Sequence, residues 1–272
     1  MPVNSSNVNI LYWNCQRKDS EYAFQKIFFQ LLEEKEIDIF CLDEAGSKKD
    51  EFINNVDNAS LGYNFVEEGD LNGAHGRLRV FSKLAGLLQP KNKSNRYVNL
   101  NFMNRFDLCF VHFRSLVRTD TYDKLKEDEK TINGIYESKS YEKKFLVGDF
   151  NAVPYSTTML DSRFLNTIRC GEECFDIKRI NLNEHRRINP SWTAYSENAA
   201  GVYGTLPIKF PTLNNIGLQL FDQVVFDEGL QTFYVSNSFE IISNVKGQKL
   251  LKDDFSSDYS DHLPIMFSLD NL

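Results

Sequence analysis

The chain has 272 residues, of which 42% are apolar and 25% charged, and its formal net charge is −7. These fractions are ordinary for a globular protein with a sizeable core. The acidic balance argues against broad, non-specific binding of phosphate, although a cation-filled cleft would change the sign of the local field.

The five cysteines do not resemble a disulfide framework, because their number is odd and their positions are scattered. We expect Cys15, Cys41 and Cys109 to be small core residues and all five to be free thiols. Cys170 and Cys174 are four residues apart, so a bridge or a metal pair stays open there. No basic and apolar leader and no apolar run of about 20 residues is visible. We therefore expect a cytoplasmic protein without membrane contact.

The first elements predicted along the chain are a strand, a helix and a strand. Residues 8–13 form an apolar run with β-branched and aromatic side chains, which is typical of a strand. Apolar positions at residues 20–35 recur with the helical period, with Ser20 as a candidate N-cap. Residues 37–42 predict a buried strand that ends at Asp43-Glu44. This order favours a layered α/β architecture.

The same patterns predict the remaining elements. Helices are predicted at 48–56, 122–138 (a surface helix) and 157–168. Strands are predicted at 63–66, 78–82, 97–102, 107–112, 145–149, 220–226, 233–242 and 263–269, with a hairpin joining 97–102 to 107–112. Residues 171–218 are rich in Pro, Gly and Asn and predict a long irregular loop, a place where recognition residues often lie. Without repeats or linkers, the chain predicts one domain over residues 1–272.

Several of the predicted strands end in polar residues. Asp149 and Asn151 close one apolar run, and Asp261 and His262 precede another. Two strand ends that each carry an acid beside a second polar group suggest one polar site at the rim of a buried sheet. This is the chemistry of a metal-assisted phosphoester hydrolase.

Six segments in this order and spacing resemble the endonuclease/exonuclease/phosphatase superfamily, which has the DNase I-like fold. They are Trp13-Asn14, Leu42-Asp43-Glu44, Val111-His112-Phe113-Arg114, Gly148-Asp149-Phe150-Asn151, Phe221-Asp222-Gln223-Val224-Val225 and Ser260-Asp261-His262. The resemblance spans residues 9–269. It implies a four-layered α/β sandwich, with two packed, mainly antiparallel sheets and helices on the outer faces. It also implies cleavage of phosphoesters with Mg²⁺ or Mn²⁺.

The resemblance assigns the metal side of the site to three residues. Glu44 would be the principal ligand, supported by Asn14 and Asp261, and hard divalent cations prefer such oxygen ligands. Read without the resemblance, Glu44 is a solvated loop acid and Asn14 a turn residue.

The resemblance also assigns the catalytic side. Asp149 would orient or deprotonate water, and Asn151, on the same face if the strand continues, would bind the phosphoryl oxygen. His262 would contact phosphate or activate water, with Asp222 as its orienting carboxylate. His112 is a candidate general acid or phosphate ligand.

Two further residues are candidates for substrate binding. Arg114 can bind phosphate in a bidentate manner, and Trp192 can stack a base or pack as loop core. His75 and His185 have no motif and are expected on the surface.

Three functions compete at this point. The first is a nuclease that hydrolyses DNA or RNA. The second is a phosphatase of inositol phosphates, or a phospholipid phosphodiesterase, with the same fold. The third is a binding module with a vestigial site. The sequence does not distinguish DNA from RNA, single from double strands or endo from exo cleavage, and it leaves the oligomeric state unknown.

Overall fold

The computed structural model describes residues 7–70, 78–115, 121–136, 143–169, 186–193, 202–210 and 215–272. The helices in these ranges are α1 (Tyr22–Glu34), α2 (Lys49–Asn58), α3 (Thr121–Ile135) and α4 (Thr157–Leu160). The strands are β1 (Val8–Asn14), β2 (Ile39–Asp43), β3 (Asn64–Glu68), β4 (Arg79–Ser82), β5 (Leu88–Lys93), β6 (Tyr97–Phe102), β7 (Phe106–His112), β8 (Lys144–Asp149), β9 (Thr167–Ile168), β10 (Arg187–Ile188), β11 (Leu206–Phe210), β12 (Asn215–Gln219), β13 (Asp222–Asp227), β14 (Glu240–Ile241), β15 (Asn244–Val245), β16 (Gln248–Lys249) and β17 (Ile265–Leu269).

Two large sheets organise the fold. The six-stranded sheet has the order β14-β17-β1-β2-β4-β3, and the seven-stranded sheet has the order β5-β6-β7-β8-β13-β10-β9. Strands β1 and β2, β7 and β8, and β9 and β10 pair in parallel, whereas the other described ladders are antiparallel. Both sheets are therefore mixed and mainly antiparallel.

The two sheets pack face to face, and helices cover their outer faces. The ring of Phe145 on β8 lies 5.1 Å from Phe226 in its own sheet and 6.1 Å from Phe267 in the other sheet. On one outer face, α1 buries Phe24, Ile27, Phe28, Leu31 and Leu32, which recur with the helical period. Each such buried side chain contributes about 1.5–3 kcal/mol to folding.

The opposite outer face is covered by α3. Its Ile132 and Ile135 pack with Val111 and Leu146 of β7 and β8. The order helix, sheet, sheet, helix gives the four layers that the resemblance implied.

The sequence predicted the strands and helices before residue 150 closely, with exceptions at α1, α3 and β5. The N-cap of α1 is Glu21, and no side chain caps this helix, so the role expected of Ser20 was wrong. Helix α3 buries Lys124 and Asp128 and is not purely a surface helix. Strand β5 was not predicted, because its residues are mostly exposed and include Pro90, which an edge strand tolerates.

After residue 150 three predictions were wrong. The helix expected at 157–168 ends at Leu160, because Asp161 adopts extended backbone and its carboxylate accepts the Arg163 N–H at 2.9 Å, as in an Asx turn. Only Glu240–Ile241 of the strand expected at 233–242 is a strand. The loop expected at 171–218 contains β10, β11 and part of β12, and β11 pairs with β12 as a separate antiparallel ladder.

Cys15, Cys41 and Cys109 are buried free thiols, as predicted. Cys170, Cys174, His75 and His185 lie outside the described residues. Among the helices that the structure describes, none is long and apolar enough to cross a membrane.

Candidate active site

Strand pairing brings polar side chains to one level at the same edge of both sheets. In the seven-stranded sheet, His112 on β7 and Asp222 on β13 each lie opposite Asp149 on the intervening β8. In the six-stranded sheet, Asn14 at the end of β1 lies opposite Asp43 at the end of β2. The strand ends predicted from sequence therefore meet in space.

The loop before β17 carries His262 to this edge. Ser260 Oγ donates to the backbone oxygen of Asn14 at 2.6 Å, and Trp13 Nε1 donates to the backbone oxygen of His262 at 2.8 Å. The loop is thus fixed to the end of β1, while its imidazole reaches the other sheet.

His262 pairs with Asp222, as the resemblance implies. His262 Nδ1 lies 2.8 Å from Asp222 Oδ2, and both side chains are buried. Burial alone would lower the pKa of His262, but the charge of Asp222 and this hydrogen bond raise the pKa to about 10. His262 is therefore an imidazolium at neutral pH, with Nδ1–H held by Asp222 and Nε2–H left for a ligand.

A second carboxylate–imidazole pair joins the two sheets, and the sequence interpretation missed its acid. His112 Nδ1 lies 2.6 Å from Asp43 Oδ2, which also accepts a hydrogen bond from the Tyr12 hydroxyl. Burial alone would lower the pKa of His112, but the charge of Asp43 and the hydrogen bond raise it to about 9. The available signal was that Asp43 ends a fully buried strand, where an acid is costly unless it is paired.

Asp149 lies between the two imidazoles and is tightly held. Its Oδ1 accepts the Asn151 N–H at 2.7 Å, and its Oδ2 accepts the Asn151 amide at 3.0 Å. Burial first, and then the charge of Asp222, raise the pKa of Asp149 to about 6. A carboxylate with this pKa is suited to accept a proton near neutral pH.

Asn151 has both of its amide hydrogens engaged. Besides Asp149, Nδ2 donates to the backbone oxygen of Phe113 at 3.0 Å. In this arrangement Asn151 orients Asp149, and a contact with a phosphoryl oxygen would require one of these bonds to be exchanged.

Glu44, Asn14 and Asp261 also line the site. Glu44 directly follows β2 and has a left-handed φ of 51°, and Asn14 Nδ2 lies 3.5 Å from its Oε1. Gln16 Nε2 donates to Asp261 Oδ2 at 2.8 Å.

These residues line a cavity of about 510 Å³. Its walls are formed by Asn14, Gln16, Glu44, Arg96, His112, Arg114, Ser115, Asp149, Asn151, Leu206, Asp261 and His262. Asp222 lies buried beneath His262, and Trp192, which is half-buried in a single helical turn at 191–193, is not among the lining residues. Arg96 was missed because it lies in a polar segment before β6 that belongs to none of the six segments of the resemblance.

The residues present fit a divalent cation. The carboxylates of Glu44 and Asp261 and the amide of Asn14 face one cavity. Oxygen atoms of these groups are the ligands that Mg²⁺ and Mn²⁺ prefer. Asp261 Oδ1 is buried without a hydrogen-bond partner among the described residues, as expected of an oxygen that coordinates a cation. Asp149, Asp222 and His262 also cluster with candidate ligand atoms within 4.8 Å, but His262 Nδ1 is engaged by Asp222.

A buried ion pair fixes the loop that follows Glu44. Asp19 Oδ1 accepts the N–H groups of Gly46 and Ser47 at 2.6 and 3.1 Å. Arg79 lies 3.4 Å from Asp19 and donates to the Ser47 backbone oxygen at 2.6 Å. Arg79 occupies a strand position between two apolar residues, so an internal partner could have been anticipated.

No protein-family model and no curated protein matches the chain. Solved structures do match over 97% of it. D. rerio TDP2 complexed with single strand DNA product has 13% identity, a TM-score of 0.58 and 99% of its own chain covered. An AP endonuclease from Archaeoglobus fulgidus has 12% identity, a TM-score of 0.58 and 100% covered. The human Nocturnin catalytic domain with bound sulfate anion has 15% identity, a TM-score of 0.54 and 94% covered.

Identities this low establish the fold and leave the activity open. The two packed mixed sheets, the outer helices and these structural neighbours agree with one another. The chain has the DNase I-like, four-layered α/β-sandwich fold.

Proposed function

We propose that this protein belongs to the endonuclease/exonuclease/phosphatase superfamily and is a metal-dependent phosphodiesterase that hydrolyses DNA or RNA. The observation that carries the proposal is one cavity lined by the base Asp149, the imidazoles of His112 and His262 and the carboxylates of Glu44 and Asp261. The proposal includes a single domain over residues 1–272 and a cytoplasmic location.

Each group has a chemical task in this proposal. Glu44 and Asp261, with Asn14, would hold Mg²⁺ or Mn²⁺, which supplies Lewis-acid polarisation of the phosphate. Asp149 would take a proton from the water that attacks phosphorus, while the bond from phosphorus to the leaving oxygen, in line with the attack, breaks and that oxygen takes a proton from solvent. The Asp149 pKa of about 6 makes this carboxylate a better base than the already protonated His262.

The two imidazolium groups would stabilise the charge that develops on the phosphate oxygens. Asp222 and Asp43 each engage Nδ1, so the remaining N–H of each ring is available to donate to an oxygen. Arg96 and Arg114 add guanidinium groups on the side of His112 and would bind phosphate.

Support for nucleic acid as the substrate comes from the neighbours and from the cavity. One matching structure is described as a complex with a single strand DNA product, and another as an AP endonuclease. A repeating phosphodiester also suits a site with more than one arginine beside its catalytic groups.

The test is a cleavage panel with Mg²⁺, Mn²⁺ and EDTA. It compares plasmid DNA, single-stranded DNA, abasic duplex, RNA, an inositol phosphate and sphingomyelin, using wild type, Asp149→Asn and His262→Ala. Asp161→Asn, in an exposed ion pair with Arg163, is the control. Cation-dependent cutting of a nucleic acid that both site variants abolish would support the proposal. Turnover of the inositol phosphate or sphingomyelin alone would replace it with the second function, and no turnover at all would contradict it.

A further inference from the structure

A second cavity of about 460 Å³ adjoins the candidate active site. It is bounded by the start of α3, the segment after Asn151, and the β11–β12 hairpin with Phe221. Its lining residues include Lys124, Leu125, Val153, Tyr155, Ile208 and Phe221. We call it the side cavity.

The two cavities share walls. Asn151 borders both of them. On β11, Leu206 lines the catalytic cavity and Ile208 lines the side cavity. Residues two apart in a strand point to the same face and lie about 6.6 Å apart. A molecule with its phosphate at His262 could therefore extend directly into the side cavity.

The lining favours an apolar face with little charge. Leu125, Val153, Ile208 and Phe221 supply apolar walls. Lys124, the lining cation, is buried and already pairs with Asp128. A charged ligand would find no free counter-charge among the described lining residues, whereas an apolar face would displace water from the walls at a gain.

Exposed tyrosines mark the same region. Tyr155, which is 54% exposed, lines the side cavity, and Tyr122, which is 76% exposed, directly follows the lining residue Thr121. Tyrosine rings beside a phosphate-binding site are typical stacking platforms for bases, and each stack strengthens binding whatever the base.

We propose that the side cavity holds the nucleobase of a nucleotide that flanks the scissile phosphate. A base seated there cannot pair at the same time, so the substrate is single-stranded at that nucleotide. This inference rests on the proposed function and narrows its substrate class.

The test uses wild-type protein and a single-stranded oligonucleotide with one preferred cut. A series of otherwise identical oligonucleotides lacks one base, replaced by tetrahydrofuran, at each position near the cut. We expect loss of one flanking base to lower kcat/KM about 10- to 100-fold, the strength of one base stack, and a duplex of the same sequence to be cut more slowly.

Variants then locate the effect. Tyr155→Ala and Ile208→Ala should bring the ratio of kcat/KM for intact and base-deleted oligonucleotides towards one. Tyr22→Ala, which removes a tyrosine that is 79% exposed at the start of α1, should leave the ratio unchanged.

The outcomes separate the two proposals. Cleavage that is insensitive to base deletion at every position, or equally fast on duplex, would overturn the side-cavity inference and leave the proposed function standing. That result needs no variant, so a misfolded variant cannot obscure it. Failure to cut any oligonucleotide would overturn both.

Discussion

The buried ion pair between Asp19 and Arg79 should be a main support of the loop that carries Glu44. The side chains of both residues are 1% exposed or less, and Asp19 also accepts the Gly46 and Ser47 N–H groups. Replacing Asp19 with Asn leaves the guanidinium without its full counter-charge and turns an amide group towards backbone donors. Arg79 Nε keeps Glu68 Oε1 at 2.7 Å, so the guanidinium is not left unpaired, and we expect a loss of about 1–3 kcal/mol from the hydrogen bonds of Asp19.

For a chain of this size, such a loss corresponds to a fall in Tm of about 2 °C per kcal/mol, or about 2–6 °C. Urea unfolding would measure the loss, and calorimetry would show weaker Mg²⁺ binding, because the left-handed backbone at Glu44 is no longer fixed. Asp253→Asn, in an exposed pair with Lys249, should leave both quantities unchanged. An unaltered urea midpoint and Mg²⁺ affinity in Asp19→Asn would refute this reasoning.

Four further outcomes are expected. Because burial and the charge of Asp222 raise the pKa of Asp149 to about 6, kcat/KM should fall as the pH drops through about 6 in a pH–rate profile. The charge of Asp222 outweighs burial and raises the pKa of His262 to about 10, so the pair stabilises the fold fully below about pH 6.5 and less as the pH rises through 10. The difference in unfolding free energy between wild type and Asp222→Asn should therefore be larger at pH 6 than at pH 10, and equal values would contradict the pairing. Glu44→Gln should weaken Mg²⁺ binding on the order of tenfold in calorimetry. Gly148→Ala should lower stability by about 1–3 kcal/mol in thermal melts, since its Cβ would lie 2.0 Å from a backbone oxygen of β7 at a φ of 148°.

Local sequence patterns were sufficient where a strand or helix is regular and fully packed. The apolar residues of α1 recur with the helical period, and β1, β2, β7 and β8 are buried apolar runs. These patterns predicted the type of each element, because their side chains must be packed in the interior. The patterns failed where local hydrogen bonds or exposed ladders decide the backbone. Asp161 ended a helix that periodicity would have continued, and β11–β12 forms a ladder in a segment rich in Pro and Gly.

In the site, too, some features follow from local sequence patterns and others from tertiary contacts. The sequence by itself determined that Asn14, Glu44, Asp149 and His262 lie at or beside strand ends, because apolar runs stop where a buried sheet meets solvent. Those positions, and the resemblance built on them, predicted which polar residues would gather at one edge. The meeting of Asp222 with His262, 40 residues apart, followed from the resemblance and not from any local pattern.

Only the tertiary structure decided the pairings across the two sheets. Asp43 and His112 are 69 positions apart, and Asp19 and Arg79 are 60 apart. No period in the sequence links such residues, because their contact depends on the register and packing of separate strands and loops. The physical reason is that local patterns of apolar residues predict which positions are buried, whereas the partner of a buried charge depends on how distant elements pack.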